Sequence, residues 1–175
     1  MTLLASLAVA AGLTALYITG NGQGFSALLF AGAATAGAVA AAIDLRHQLL
    51  PDLGSAVIAL TGLGVAALED HVVGSLSSGA VAAGILMLAG LIVRRPGREK
   101  PLGEGDVLLA GACGLWVAPE QIPVALLLAV AFTIVTGFVA NKGQGERQSR
   151  LAFGPGLVAG FGLAATAIIP WGGAL

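Results

Sequence analysis

The sequence predicts an all-α bundle of membrane-spanning helices, and three observations support this fold class. Of the 175 residues, 57% are hydrophobic and 10% are charged, whereas a soluble domain carries about 25% charged residues. The mean hydropathy is +0.95, so the chain cannot cover itself with polar surface and needs lipid as its solvent. The apolar residues also fall into separate runs of helix length. The net charge of −1 provides no field that would attract nucleic acid.

Seven apolar runs are candidate membrane segments. They cover residues 2–19, 25–43, 53–68, 72–93, 107–117, 122–140 and 151–169. The fifth run has about 11 residues and would rise only about 17 Å as a helix, which is short for a span. A bundle of about seven helices is therefore the main prediction. Six spans with a re-entrant fifth segment are the alternative.

The distribution of positive charge favours seven crossings. If Met1 lies in the cytoplasm and every segment crosses, the inside loops are residues 44–52, 94–106 and 141–150. These loops hold all 8 Lys and Arg residues of the chain, as the positive-inside rule requires. Residues 1–20 have no Lys or Arg before their apolar run. We therefore interpret them as an additional, retained first helix of a single domain over 1–175, with cleavage as a signal peptide the alternative.

Two carboxylates lie at the mouths of predicted helices on the same membrane face. Asp44 ends the second apolar segment, and Asp106 precedes the fifth. Ionisable residues near a bilayer are functional candidates, because burying them is costly. Two close carboxyls cannot both ionise easily, so one acts as a base and the other as an acid, as in aspartic proteases. Gly103 and Gly105 leave the backbone beside Asp106 open to an extended peptide.

Structural interpretations of the same acids stay open. Asp106 can cap the fifth helix, where an acid interacts favourably with the helix dipole. Asp44 can pair with His47 one helical turn later, and Asp52 is expected to be an N-cap. Two non-peptidase functions also remain, a small proton- or cation-coupled membrane transporter that uses Asp44 and Asp106, and a structural subunit of a secretion complex. The single cysteine, Cys113, excludes an internal disulfide and a Cys-x-x-C metal site.

Three short motifs resemble those of a known family. Asp44-Leu-Arg-His-Gln-Leu-Leu-Pro-Asp52 resembles the first signature of the type IV prepilin peptidases. Gly103-Glu-Gly-Asp106 resembles their GxGD motif, and Phe153-Gly-Pro155 resembles their third element. The three occur in the family's order, each at the cytoplasmic end of a predicted span. The resemblance extends over about residues 40–170.

The resemblance implies a membrane aspartic endopeptidase that cleaves the basic leader from prepilins or pseudopilins, without a metal or another cofactor. It implies a location in the prokaryotic inner membrane, an active site that faces the cytoplasm, and prepilin and lipid as partners, and it leaves the oligomeric state open. The catalytic residues would be Asp44 and Asp106. The residues that support the motifs or bind substrate would be Gly103, Gly105, Pro51, Asp52, Phe153, Gly154 and Pro155.

Two features set this chain apart from many members of that family. It lacks the cytoplasmic domain with paired Cys-x-x-C motifs, and so resembles the short forms associated with tight-adherence pili or found in archaea. We therefore expect peptidase activity without methylation of the product. Leu108 also stands where the family often has lysine, and Ala152 where it often has proline. Neither position is one of the two aspartates.

Overall fold

The computed structural model describes residues 2–20, 24–47, 52–93, 103–141 and 153–166. These residues form seven α-helices and one short 3-10 helix, so the all-α prediction is confirmed. The α-helices are α1 (Thr2–Gly20), α2 (Phe25–His47), α3 (Asp52–Leu68), α4 (Val72–Val93), α5 (Glu104–Gly114), α6 (Ile122–Asn141) and α7 (Gly154–Thr166). The 3-10 helix, Pro119–Gln121, leads directly into α6.

The helices form a membrane bundle. Three helical stretches are long and apolar enough to cross a bilayer, namely Phe25–Leu45, Val72–Val93 and Pro119–Gly137. Two shorter helices, Asp52–Leu68 and Gly154–Thr166, are also apolar. The number of helices that cross the membrane stays a prediction.

Each predicted apolar segment coincides with a helix, but several helix ends differ. Helix α2 continues through Asp44 to His47, and α5 begins at Glu104 instead of Val107. The reason is that an apolar run marks the lipid-facing part of a helix, whereas the backbone hydrogen bonds continue into the polar residues at its ends. Both acids therefore lie inside helices and are not loop residues.

Contacts at opposite ends of α2 define the two ends of the bundle. At one end, the hydroxyl of Ser26 donates to Oε1 of Glu69 at 3.4 Å, which joins the start of α2 to the turn after α3. At the other end, the N–H of Gly154 donates to Oδ2 of Asp44 at 3.1 Å, which joins the end of α2 to the start of α7. Functional residues near Asp44 therefore share one end of the bundle.

Glycines allow α6 and α7 to pack with their backbones in contact. A Cβ added to Gly160 would lie 2.5 Å from the N of Ala129 and 2.6 Å from the O of Ala125. One added to Gly156 would overlap the Thr133 hydroxyl. Because higher numbers in α7 face lower numbers in α6, the two helices are antiparallel. The sequence Gly156 to Gly160 thus serves helix packing within the chain.

The same kind of contact joins α4 to α5. A Cβ on Gly79 would lie 2.9 Å from the carbonyl oxygen of Gly111, and one on Gly111 would lie 3.3 Å from Cβ of Ala83. The small-residue face from Gly79 to Ala83 is therefore also a packing face.

Helix α5 packs against three neighbours and exposes only part of its surface, which explains how so short a helix lies in the bundle. It packs against α3, α4 and α7, and Leu109 and Ala110 are completely buried. Its far end is fixed by Trp116, whose Nε1–H donates to the carbonyl oxygen of Ile58 at 3.0 Å. The Trp116 ring also meets Phe30 edge-on, with 5.3 Å between the ring centroids. Neighbouring helices therefore shield α5.

Candidate active site

Asp44 lies in the last turns of α2 and is buried, with only 5% of its surface exposed. A buried carboxylate is costly unless it accepts hydrogen bonds. Asp44 accepts one from the N–H of Gly154, at 3.1 Å. That N–H is among the first of α7, which have no partner inside their own helix. The positive end of the helix dipole therefore faces the carboxylate.

The first turn of α7 leaves the N–H of Gly154 without a partner inside the helix. The first backbone hydrogen bond of the helix runs from the N–H of Leu157 to the O of Phe153 at 3.1 Å, so the N–H groups before Leu157 are free for other partners. Pro155 has no N–H, but proline is well tolerated in a first helical turn. Phe153 is half-buried and packs against the core, and Gly154 is buried. The third motif is therefore the segment that supplies a partner to Asp44.

Asp106 lies in the first turn of α5 and is half-buried. Gly103 is the N-cap, with φ −70° and ψ 144°, and its carbonyl accepts the N–H of Asp106 at 3.2 Å. The N–H of Gly103 in turn donates to the Asp106 carboxylate. The N-cap of α5 is thus Gly103 and not Asp106, and it makes no side-chain cap hydrogen bond. Asp106 is an acid of the first turn, a position that the helix dipole favours.

Asp106 also interacts electrostatically with Asp44. Asp106 lies just before the predicted fifth membrane segment, residues 107–117, and therefore outside the part of α5 that is expected to be in the membrane. Burial raises the pKa of Asp106 from 3.8 to about 6, with a further contribution from the charge of Asp44, while the hydrogen bond from the Gly103 N–H opposes the rise. The fold thus brings the carboxyls from α2 and α5 close enough for the ionisation of one to disfavour that of the other. A pair of this kind holds one proton more readily than none.

The remaining predicted site residues surround this pair or lie outside the described ranges. Gly103 is exposed and Gly105 is half-buried in the first turn of α5. Asp52 is exposed. It was expected to be the N-cap of α3 but is the first residue inside the helix, one position after the N-cap. Pro51 lies outside the described residues, as does the side chain of His47. Leu108 is 57% exposed, so the position where the family often has lysine is on the surface of the bundle.

The described part of the chain contains no group of three or more His, Cys, Asp or Glu residues arranged to hold a metal ion.

The residues alone did not identify Gly154 as the partner of Asp44. Gly154 was a candidate only because its motif resembles the third element of the family. The one local signal was Gly-Pro at the start of an apolar run, which is typical of a helix start. It does not identify what the free N–H groups bind.

Comparison with known proteins identifies the family of the chain. The model of the type IV leader peptidase family matches residues 31–138, a range that includes both Asp44 and Asp106. The chain is 34% identical over 128 residues to a type 4 prepilin-like proteins leader peptide-processing enzyme of Escherichia coli O78:H11. The aligned residues make up 69% of this chain and 45% of that relative. It is 33% identical over 164 residues to a prepilin leader peptidase/N-methyltransferase of Burkholderia pseudomallei, which covers 90% of this chain and 50% of that relative.

A protein of the same description from Escherichia coli K12 is 32% identical over 124 residues, covering 67% of this chain and 53% of the relative. The chain thus spans about half the length of the curated relatives it matches. No solved structure gives a significant match.

Proposed function

The chain belongs to the type IV leader peptidase family, and from this premise we propose that it is a membrane aspartic endopeptidase that removes the leader peptide from type IV prepilins or pseudopilins. The observation that carries the proposal is the interaction between the carboxyls of Asp44 and Asp106. Residues 1–175 act as one integral membrane domain. Residues 40–170 hold the family motifs, and residues 1–20 add a helix.

The paired acids support a division of roles in hydrolysis. Asp44, held by the N–H of Gly154, is the ionised partner that takes a proton from water as the water oxygen attacks the scissile carbonyl. Asp106 holds the shared proton and delivers it to the leaving nitrogen as the C–N bond breaks. The proton gained by Asp44 then returns to Asp106 for the next cycle. Aspartic proteases use this arrangement of one protonated and one ionised carboxyl.

The membrane orientation is part of the same proposal. All Lys and Arg residues fall in the loops that share the side of Asp44 in a seven-span topology, which favours the cytoplasm for that side. The scissile bond would then lie at the cytoplasmic face of the inner membrane. The substrate's apolar helix would lie in the bilayer beside the bundle, and no cofactor takes part.

The test is cleavage of a prepilin by the purified protein in detergent, with the products read by mass spectrometry. Asp44→Asn and Asp106→Asn should each abolish cleavage, because each removes one half of the acid–base pair. Asp70→Asn is the matched control. Asp70 is an exposed aspartate at the opposite end of the bundle with φ 55°, a backbone conformation that asparagine also adopts readily. The Asp70→Asn variant should retain full activity.

Thermal unfolding of each variant separates loss of chemistry from loss of fold. Full activity in Asp44→Asn or Asp106→Asn would contradict the aspartic mechanism. An inactive but folded wild type that carries protons or cations across vesicle membranes would instead support the transporter hypothesis.

A further inference from the structure

An open apolar groove of about 600 Å³ lies between α2 and α3. Its walls are formed mainly by apolar and small side chains, which include Gly32, Ala36, Val39 and Ile43 of α2 and Gly54 of α3. No contact described above uses this surface. The groove is open to the surface of the bundle.

The groove has the length and shape to hold part of an apolar helix. Between Gly32 and Ile43, α2 rises about 17 Å, which is about half the thickness of the hydrocarbon layer. Gly32, Ala36 and Ala40 are spaced by four residues and therefore share one face of α2. Small residues on such a face let a second backbone approach closely, as in packed membrane helices.

One end of the groove is formed by residues that adjoin the candidate active site along the chain. Ile43, on one wall, directly precedes Asp44, and Leu53, on the other wall, directly follows Asp52. Asp106 interacts with Asp44 at this same end. The described side chains there include these three carboxylates, and Asp52 is exposed. The exposed carboxylate of Asp52 can pair with a basic residue that precedes an apolar helix, although the predicted topology puts the chain's own Lys and Arg residues on the same side.

We propose that the groove between α2 and α3 docks the apolar helix of the leader-bearing substrate, so that the chain just before that helix reaches Asp44 and Asp106. This inference rests on the proposed peptidase function and adds the place where the substrate binds. Docking of this kind is a helix-in-groove recognition mode. It makes the side-chain volume at Gly32 and Ala36 a determinant of substrate binding.

Filling the groove tests the proposal through the Gly32→Leu variant. A Cβ on Gly32 would meet only Cγ2 of Thr61, at 4.0 Å, so the first side-chain atom of a leucine has room there. Gly84→Leu is the matched control. Gly84 is also an exposed helical glycine with nothing within 4 Å of its added Cβ, but it lies on α4, away from the groove. The substrate is a synthetic peptide with a lysine-rich leader followed by an apolar helix of about 20 residues.

Gly32→Leu should raise KM about tenfold with little change in kcat, since it removes binding and leaves the carboxyls in place. Gly84→Leu should match the wild type. If the groove holds only lipid acyl chains, KM will be unchanged in both variants, and that result would overturn the proposal.

Crosslinking gives a second, independent measurement. Val39→Cys places a thiol in the groove, eight residues before the end of α2 at His47, and Leu88→Cys places one at an exposed position of α4, five residues before its end at Val93. In the Asp106→Asn background, and with an added copper–phenanthroline oxidant that accepts the two electrons, a cysteine in the peptide's apolar helix should form a disulfide with position 39 and not with position 88. The native Cys113 is buried and does not compete. Equal crosslinking at both positions, or a crosslink only at 88, would overturn the proposal.

The two proposals fail in different ways. A folded wild type that cleaves no leader-bearing peptide would overturn the peptidase function. It would also overturn the docking proposal, which rests on that function. A wild type that cleaves, together with an unchanged KM in Gly32→Leu and no crosslink at position 39, would overturn the docking site alone.

Discussion

Asp44 at the end of α2 accepts a hydrogen bond from the backbone N–H of Gly154 at the start of α7, 110 residues later in the chain, at 3.1 Å. This bond connects the first and third of the sequence motifs. The start of α7 is therefore best regarded as a positioning element for the carboxylate.

Replacing Gly154 with proline should reduce activity, because it removes the N–H that donates to Asp44, and it also adds a ring at this buried position. Proline is accepted in the first turn of a helix because its missing N–H would have no helical partner there. A hydrogen bond to a charged group contributes about 1.5–3 kcal/mol, so kcat/KM should fall by about tenfold to a hundredfold. Steady-state cleavage of a prepilin measures the effect.

Gly154→Ala is the control for this substitution, since it adds bulk at the same buried position and keeps the N–H. It should retain most of the activity that Gly154→Pro loses. Equal losses in the two variants, at equal thermal stability, would show that volume and not the hydrogen bond matters at this position.

The raised pKa of Asp106 predicts how stability depends on pH. Its pKa rises from 3.8 to about 6 because the carboxyl is buried and lies near the charge of Asp44. Between these two values the folded protein binds more protons than the unfolded chain. The stability from this group is therefore fully present below about pH 3.8 and is lost as the pH rises through about 6.

Thermal unfolding in detergent between pH 4 and pH 8 checks this sign. The wild type should lose stability over the range, and Asp106→Asn, which does not titrate, should lose less. An identical pH dependence in the two proteins would contradict the assignment of this titration to Asp106.

The sequence predicted the helices better than it predicted the contacts between them. Long apolar runs in a chain with few charges leave the backbone no alternative to helix, and each of the seven runs falls on a described helix. The ends were less certain because polar residues extend a helix beyond its lipid-facing part, which is why Asp44 and Asp106 lie within α2 and α5. The shortness of α5 was explained only by the neighbours that pack against it.

The site shows a similar limit. The presence of Asp44 and Asp106 at one end follows from the alternation of helices, which sequence can supply. The partner of Asp44 depends on how α7 docks, and nothing local to Asp44 encodes it. The groove between α2 and α3 was likewise not predicted, because it depends on how these two helices pack together and not on a motif.

Two serines on α4 should respond in opposite ways to replacement with alanine. The hydroxyl of Ser75 donates to the carbonyl oxygen of Leu115 at 2.6 Å, inside the bundle. Among the described residues, the hydroxyl of Ser78 is completely buried and has no hydrogen-bond partner. A buried polar group without a partner costs free energy, whereas a satisfied one contributes about 1 kcal/mol.

Ser75→Ala should therefore lower the free energy of unfolding by about 1 kcal/mol or more, since it leaves the Leu115 carbonyl unpaired. Ser78→Ala should be neutral or stabilising. Chemical unfolding in mixed micelles compares the two variants directly. A larger loss for Ser78→Ala than for Ser75→Ala would mean that the Ser78 hydroxyl has a partner, such as a bound water.

The contact between α6 and α7 predicts a strong dependence on one methyl group. In Gly160→Ala the new Cβ would lie 2.5–2.6 Å from backbone atoms of Ala129 and Ala125. Backbone atoms cannot rotate away as a side chain can, so the helices must separate, at a cost of about 1–3 kcal/mol in the free energy of unfolding.

Gly84→Ala is the matched control, because its Cβ meets nothing within 4 Å. That variant should be neutral or slightly more stable, since alanine favours helix over glycine by about 1 kcal/mol. Thermal unfolding of both variants tests the prediction, and a Gly160→Ala protein as stable as Gly84→Ala would contradict the close packing of α6 on α7.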